Sequence, residues 1–144
     1  MELSKFHAIP VDINGRSKGL CTELGIEFKK EFDSRSEHQR YVELREREDE
    51  GDIDDLTVHS PTYDLHAVPM LHFVGETDGK NKFSITGDPK KVGTYTPDFT
   101  YHKDGDFIVE DRKGGATTEQ FRWKTKHLLI EYGIKVTVTR SEKK

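Results

Sequence analysis

Two alternating runs joined by an Asp-Gly pair constrain this chain more than any other feature. Thr94 to Tyr101 and Phe107 to Lys113 each alternate as a strand, and Asp104-Gly105 between them is a strong hairpin turn signal. The two strands are therefore expected to be adjacent and antiparallel. Period-two geometry puts Phe107, Val109, Asp111 and Lys113 on one face of the second strand and Ile108, Glu110 and Arg112 on the other. Asp98 follows Pro97 on the first strand, so its carboxylate is expected to approach that of Asp111 across the hairpin. Acids and a lysine thus fall where a strand pattern is normally apolar.

The rest of the chain supplies helices around this hairpin. Residues 1–31 show no clear periodicity and read as an irregular arm, with a short strand suggested at Ile26-Glu27-Phe28. Ser34 with Glu37 three residues on has capping-box spacing, which predicts a helix running to about Glu50 and stopping at Gly51. Glu37, Tyr41, Leu44 and Glu48 share one stripe of that helix. Glu37 on an inward stripe either closes the capping box or needs a partner or a metal.

Strands are predicted at Leu56 to Val58 and at Thr62 to Val74, the latter broken by Pro69, and residues 68–93 read as a long hairpin or loop insertion. After Gly114-Gly115, Thr117 or Thr118 is placed to cap a helix reaching Tyr132, with Gly133 as its stop. Ile134, Val136 and Val138 then alternate as a final strand. At 144 residues the whole is expected to form one domain.

Charge is unevenly spread. The chain carries a net −4, yet residues 112–144 hold Arg112, Lys113, Arg122, Lys124, Lys126, Lys135, Arg140, Lys143 and Lys144 against only Glu119, Glu131 and Glu142. That asymmetry fits either a polyanion partner on one face or a solvated basic tail. The acidic run from Glu43 to Asp55 reads as a solvated surface turned away from nucleic acid. A single cysteine, Cys21, excludes an internal disulfide and any cysteine-based zinc site. No apolar leader or membrane-length apolar run is present, so a soluble cytoplasmic protein is expected. His59, His66 and His72 share a region but read as scattered strand and loop residues. No glycine-rich phosphate loop appears, and no Ser-His-Asp ordering is readable.

Asp98 and Asp111 facing one another would repel unless a cation lay between them. Mg²⁺ suits such a pair, since it takes oxygen ligands from one or two carboxylates and fills its octahedron with water and phosphate. Lys113 beside them could orient or deprotonate a water, or steady charge on a phosphate.

Glu on the first long helix, Pro-Asp on a strand, acid-x-Lys on the next strand, then a helix and a last strand resembles the PD-(D/E)XK nuclease superfamily, the restriction-endonuclease-like fold. More narrowly, Phe32-Asp33-Ser34-Arg35-Ser36-Glu37, Arg40-Tyr41, Leu44, Gly51-Asp52-Ile53, Pro97-Asp98-Phe99 and Val109-Glu110-Asp111-Arg112-Lys113-Gly114 are similar to a family of small phage-encoded endonuclease-like proteins. The likeness covers roughly Gly25 to Arg140.

The resemblance implies a single α/β domain with an αβββαβ core, its central mixed sheet flanked by helices. It implies a Mg²⁺-dependent endonuclease acting on DNA, with Mn²⁺ as substitute, in the host-cell cytoplasm if phage-encoded. Asp98 and Asp111 would be metal ligands, Lys113 the catalytic lysine, Glu37 a further metal or water-positioning acid, and the main-chain carbonyl of Arg112 another ligand. Lys124 and Lys126, with Arg122, would contact phosphates, unless they form an ordinary solvated helix face.

Two alternatives stay open: a non-catalytic DNA- or protein-binding module on the same fold, and a branched-DNA (Holliday junction) resolvase, for which a homodimer would be expected. Two departures from the pattern stand out. The stretch Val68 to Val92 is longer than the family usually carries, so it would be a substrate-shaping wing or a partner site. A one-residue slip would turn Glu110 rather than Asp111 to the metal, but it would leave Lys113 on the wrong face.

Overall fold

The structure is a computed structural model and describes residues 9–67 and 70–141. Its elements are α1 (Lys18–Leu24), α2 (Arg35–Asp49), β1 (Asp54–Val58), β2 (Tyr63–Ala67), β3 (Met70–Thr77), β4 (Lys80–Thr86), β5 (Lys90–Tyr95), β6 (Phe99–Lys103), β7 (Asp106–Lys113), α3 (Glu119–Tyr132) and β8 (Thr137–Arg140). The central sheet is mixed and four-stranded, ordered β1-β6-β7-β8, with β7 and β8 parallel and the other neighbours antiparallel. Helices α2 and α3 cover it, and α2-β1-β6-β7-α3-β8 follows the αβββαβ order. Strands β2 with β5, and β3 with β4, form two further antiparallel pairs between β1 and β6. Among the described residues no helix is long and apolar enough to cross a membrane.

The β6–β7 hairpin turns where Asp104 and Gly105 take the positive φ values, 51° and 85°, that a tight two-residue turn of this hand needs. Alternation along β7 then splits the core in two. Ile108 packs on the cluster of Val11, Phe32, Leu44, Ile53, Phe99 and Tyr101 beneath α2. Val109 joins Leu65, Tyr95 and Leu128 beneath α3. Full burial of such side chains contributes about 1.5–3 kcal/mol each.

Four sequence expectations need correction. The arm expected to be irregular contains α1, capped by Ser17 accepting from the Leu20 N–H at 3.2 Å and ended by Gly25 at φ 68°; seven residues are too few to show a helical period. No strand forms at residues 26–28. Instead Val11 bridges to Phe32, Val11 N donating to the Phe32 carbonyl at 2.9 Å and Phe32 N to that of Val11 at 3.0 Å, which draws both into the core. Residues 1–8 lie outside the described part.

Thr94 to Tyr101 is not one strand. It divides into β5 and β6 around Thr96-Pro97-Asp98, because Pro97 has no N–H to continue a ladder, and the halves join different sheets. The final strand falls at Thr137–Arg140, and Ile134 and Val136 pack against the second core on the way to it.

Helix α2 starts as its capping residues direct, with the Ser34 hydroxyl accepting from Glu37 N at 3.2 Å, and ends with Glu50 as C-cap just before Gly51. Its buried stripe is Glu37, Arg40 and Leu44, with Tyr41 partly buried beside it. Glu48 accepts the Leu56 N–H at 2.9 Å and ties the helix to β1. The expected insertion over residues 68–93 comprises the β3–β4 hairpin, turning at Asp78-Gly79, and the first part of β5. Residues 68 and 69, including the predicted break at Pro69, lie outside the described part.

Candidate active site

Asp98 does not lie on a strand. It occupies the bend after Pro97, immediately before β6, and there it joins groups from both faces of the sheet. Its Oδ2 accepts the Arg112 N–H at 2.8 Å, and its own N–H donates to Asp111 Oδ1 at 3.1 Å. Residues on a strand send N–H and C=O to the same side, so the Arg112 carbonyl also projects toward the Asp98 side of β7.

Val58 pairs with Phe99, which puts the next residue of β1's chain, His59, opposite Asp98. His59 takes a left-handed conformation at φ 52°, and its N–H donates to the Asp98 carbonyl at 2.9 Å. Its Nε2 meets Glu37 Oε1 at 3.3 Å, while Glu37 Oε2 accepts the Asp33 N–H at 3.2 Å. Glu37 therefore serves the helix start with one oxygen and the site with the other. Ligand atoms of Glu37, His59 and Asp98 lie within 4.8 Å of one another, close enough for one metal ion to be held among them.

Asp111 faces the α3 side. One of its oxygens accepts the Asp98 N–H and the other the Tyr95 hydroxyl. Glu110 faces α2 and is wholly buried, held by Arg40. The strand register is thus the one in which Asp111 and Lys113 share a face.

Two clefts meet at Asp98 and Lys113. One, of about 380 Å³, is lined by Tyr95, Asp98, Asp111, Lys113, Phe121 and Lys124 among others. The second, of about 420 Å³, includes Ser36, Glu37, Asp98, Arg112, Lys113 and Gly114. The Lys113 ammonium sits 4.0 Å from the centre of the Phe121 ring, a cation–π contact that holds it at the cleft wall.

Electrostatics follow from packing several acids together. Burial, then the negative charge of Glu37, pushes the Asp98 carboxyl up to about 7. Burial, then the charge of Asp98, pushes Asp111 up to about 7 as well. Burial and the adjacent Asp111 raise the Tyr95 hydroxyl, which keeps it a donor. The hydrogen bond to Glu37 raises His59 against the opposing effect of burial. Carboxylates held in this way gain from a cation, and the donor set of oxygens plus one imidazole nitrogen fits a divalent ion.

The predicted residues thus separate. Glu37, Asp98, Asp111 and Lys113 come together, and Lys124 reaches the same cleft. Lys126 is exposed and lines neither cleft. Arg122 folds back on its own helix start, donating to the Thr117 carbonyl at 2.6 Å. His59, one of three histidines that the sequence presents as scattered strand and loop residues, joins the site; the usable signal is that a strand ending at Val58 and pairing with the Pro-Asp strand leaves His59 beside Asp98. Tyr95 gave no sequence signal of its own, because its role depends on where β5 packs.

Fold and site together define an α/β protein with an acidic, imidazole-containing candidate metal centre at the start of β6. The chain belongs to the family described as protein of unknown function (DUF1064), whose model matches residues 17–144. No curated protein and no solved structure gives a significant match.

Proposed function

We propose that this protein is a metal-dependent deoxyribonuclease that hydrolyses DNA phosphodiester bonds, with Mg²⁺ as cofactor and Mn²⁺ as substitute. The observation that carries this reading is Asp98, placed between Glu37 with His59 on one side and Asp111 on the other, with Lys113 lining both clefts. A divalent ion bound there would polarise the phosphate and lower the pKa of the attacking water. Glu37, His59 and Asp98 would hold the ion. Lys113, lining both clefts beside these carboxylates, would orient the water or stabilise charge on the pentavalent phosphorus. The new bond forms between water oxygen and phosphorus as the bond to the leaving sugar oxygen breaks. The basic stretch from Arg112 onward supports nucleic acid as the polyanion.

One observation favours the non-catalytic alternative: both oxygens of Asp111 are already engaged, by Asp98 N–H and by Tyr95. On that reading the fold is kept as a DNA- or protein-binding module. A resolvase would use the same chemistry in a symmetric dimer, since two strands cut in concert need two sites.

Incubation with supercoiled, linear, single-stranded and branched DNA, with Mg²⁺, Mn²⁺ or chelator, separates these readings. Metal-dependent cleavage of at least one substrate is expected. Intact DNA throughout, with no divalent-ion binding by calorimetry, would leave only the binding module.

A further inference from the structure

Arg112 belongs to the α2 face of β7, opposite Lys113, and its side chain is held by hydroxyls rather than by an acid. Nε donates to Ser36 Oγ at 3.0 Å and an Nη2 proton to Ser141 Oγ at 3.3 Å, while the two serine oxygens lie 2.8 Å apart. The three residues come from separate elements: the end of β7, the first turn of α2 and the residue after β8. Arg16, Arg40 and Arg45 are each paired with carboxylates. Among the described residues Arg112 has no such partner, as is also true of Arg35, Arg47, Arg122 and Arg140, but of these Arg112 is the one that lines the cleft with Glu37 and Asp98.

A half-buried guanidinium fixed by neutral oxygens keeps its full charge and further N–H donors in a set orientation, which suits bidentate phosphate binding. Its position is equally specific. Arg112 lines the 420 Å³ cleft that contains Glu37 and Asp98, and also a groove of about 850 Å³ between α2 and β8 that includes Arg47, Thr139 and Arg140. Arg40 also lines that groove, but Glu110 and Glu43 already neutralise it. Glu46 already stands on the α2 wall of this groove, and beyond Arg47 the surface turns more acidic still, with Glu50, Asp52 and Asp104 around a further depression of about 710 Å³. A polyanion leaving the carboxylate cluster meets positive charge at Arg112 and Arg140 along the β7–β8 side of the groove, and repulsion from Glu46 and the acids that follow it on α2.

We infer that Arg112 is a phosphate-binding residue for the nucleotide next to the reacting one, and that the bound strand runs from the carboxylate cluster into the α2–β8 groove. Ser36 and Ser141 are positioning residues that aim the guanidinium. The inference rests on the nuclease reading for the identity of the reacting centre, but the phosphate contact can be measured without any cleavage.

The test is fluorescence anisotropy of labelled single-stranded and duplex DNA with Ca²⁺ in place of Mg²⁺, over a series of salt concentrations. Arg112→Ala is expected to weaken binding about tenfold, equally for unrelated sequences, and to reduce the slope of log affinity against log salt by roughly 0.7–0.9. Arg112→Lys should keep the slope and lose several-fold in affinity. The Ser36→Ala/Ser141→Ala double variant should lose less, also with the slope intact. Arg112→Gln removes the charge without the cavity and gives the same readout should the alanine variant fail to fold.

A slope in the charge-removing variants equal to that of the wild type would overturn the site, as would a wild type that binds no DNA. Metal-dependent cleavage alongside an unchanged slope would remove the phosphate site and leave the nuclease reading standing. An Arg112-dependent slope in a protein that cuts nothing would do the reverse.

Discussion

The guanidinium of Arg40 closes a two-point ion pair on the carboxylate of Glu110, Nε to Oε2 at 2.7 Å and Nη2 to Oε1 at 2.9 Å. Tyr101 donates to the same carboxylate at 2.7 Å and Thr139 at 2.9 Å, so α2, β6, β7 and β8 converge on one buried acid. Burial alone would raise the Glu110 carboxyl, but Arg40 and the hydroxyls hold it below the usual carboxylate range. With Glu110 held toward α2, strand alternation commits Asp111 to the other face.

Removing either partner should therefore be costly. Glu110→Ala or Arg40→Ala is expected to destabilise the fold by about 3–5 kcal/mol, because each leaves a buried charge without its counterpart. An Arg40→Ala/Glu110→Ala double variant should lose less than the sum of the two single changes. Urea unfolding of the three variants measures this, and strictly additive losses would argue against a coupled pair.

Asp98→Ala, Asp111→Ala and Lys113→Ala are each expected to lose at least about 10²-fold in cleavage while the fold survives. They should differ in metal binding. Asp98→Ala should remove most divalent-ion affinity, whereas Lys113→Ala should leave it nearly unchanged and lower the cleavage rate by about 10²–10⁴-fold. Calorimetry with Mn²⁺ alongside a cleavage assay makes the distinction, and full activity in any of the three would remove the proposed site.

His59 separates a metal ligand from a mere partner of Glu37. His59→Ala should weaken Mn²⁺ binding by about tenfold or more, and imidazole should suit Mn²⁺ at least as well as Mg²⁺. If Mn²⁺ titrations of the variant and the wild type superimpose, His59 is not a ligand.

The raised carboxyls make stability depend on pH in a definite direction. With Asp98 and Asp111 each raised to about 7, against 3.8 for the free side chain, the folded chain binds more protons than the unfolded one between those values. Their contribution is fully present below about pH 4 and is lost as pH rises through about 7. Raised by Glu37, His59 acts in the same sense, its stabilisation fading as pH climbs past its folded value. In chelator, thermal melting of the wild type should show this stabilisation lost between pH 5 and pH 8, and Asp98→Asn should flatten the trend. Divalent ions should restore most at pH 8. A melting temperature that rises across this window in the wild type but not in Asp98→Asn would refute the assignment.

Much of the fold could be read directly because it depends on local chemistry. Ser34 and Gly133 mark helix ends through hydrogen bonds and a positive φ within a few residues, and Asp104-Gly105 makes a turn for the same reason. Alternation from Phe107 to Lys113 sorts side chains by face whatever lies beyond them. The split between β5 and β6 was also latent in Pro97, yet a continuous alternating pattern concealed it.

The site divides along the same line. Strand alternation and the resemblance to the nuclease pattern single out Glu37, Asp98, Asp111 and Lys113 as candidates, and strand geometry sets Asp111 beside Lys113. Only the tertiary structure decided that His59 joins Glu37 and Asp98, that Tyr95 occupies Asp111, and that Arg40 claims Glu110. Those pairings span 22, 16 and 70 residues of chain. No short-range periodicity reports such partners, because they are selected by how the sheet, α2 and the β2–β5 pair pack, and by the cost of leaving a buried charge or polar group without a counterpart.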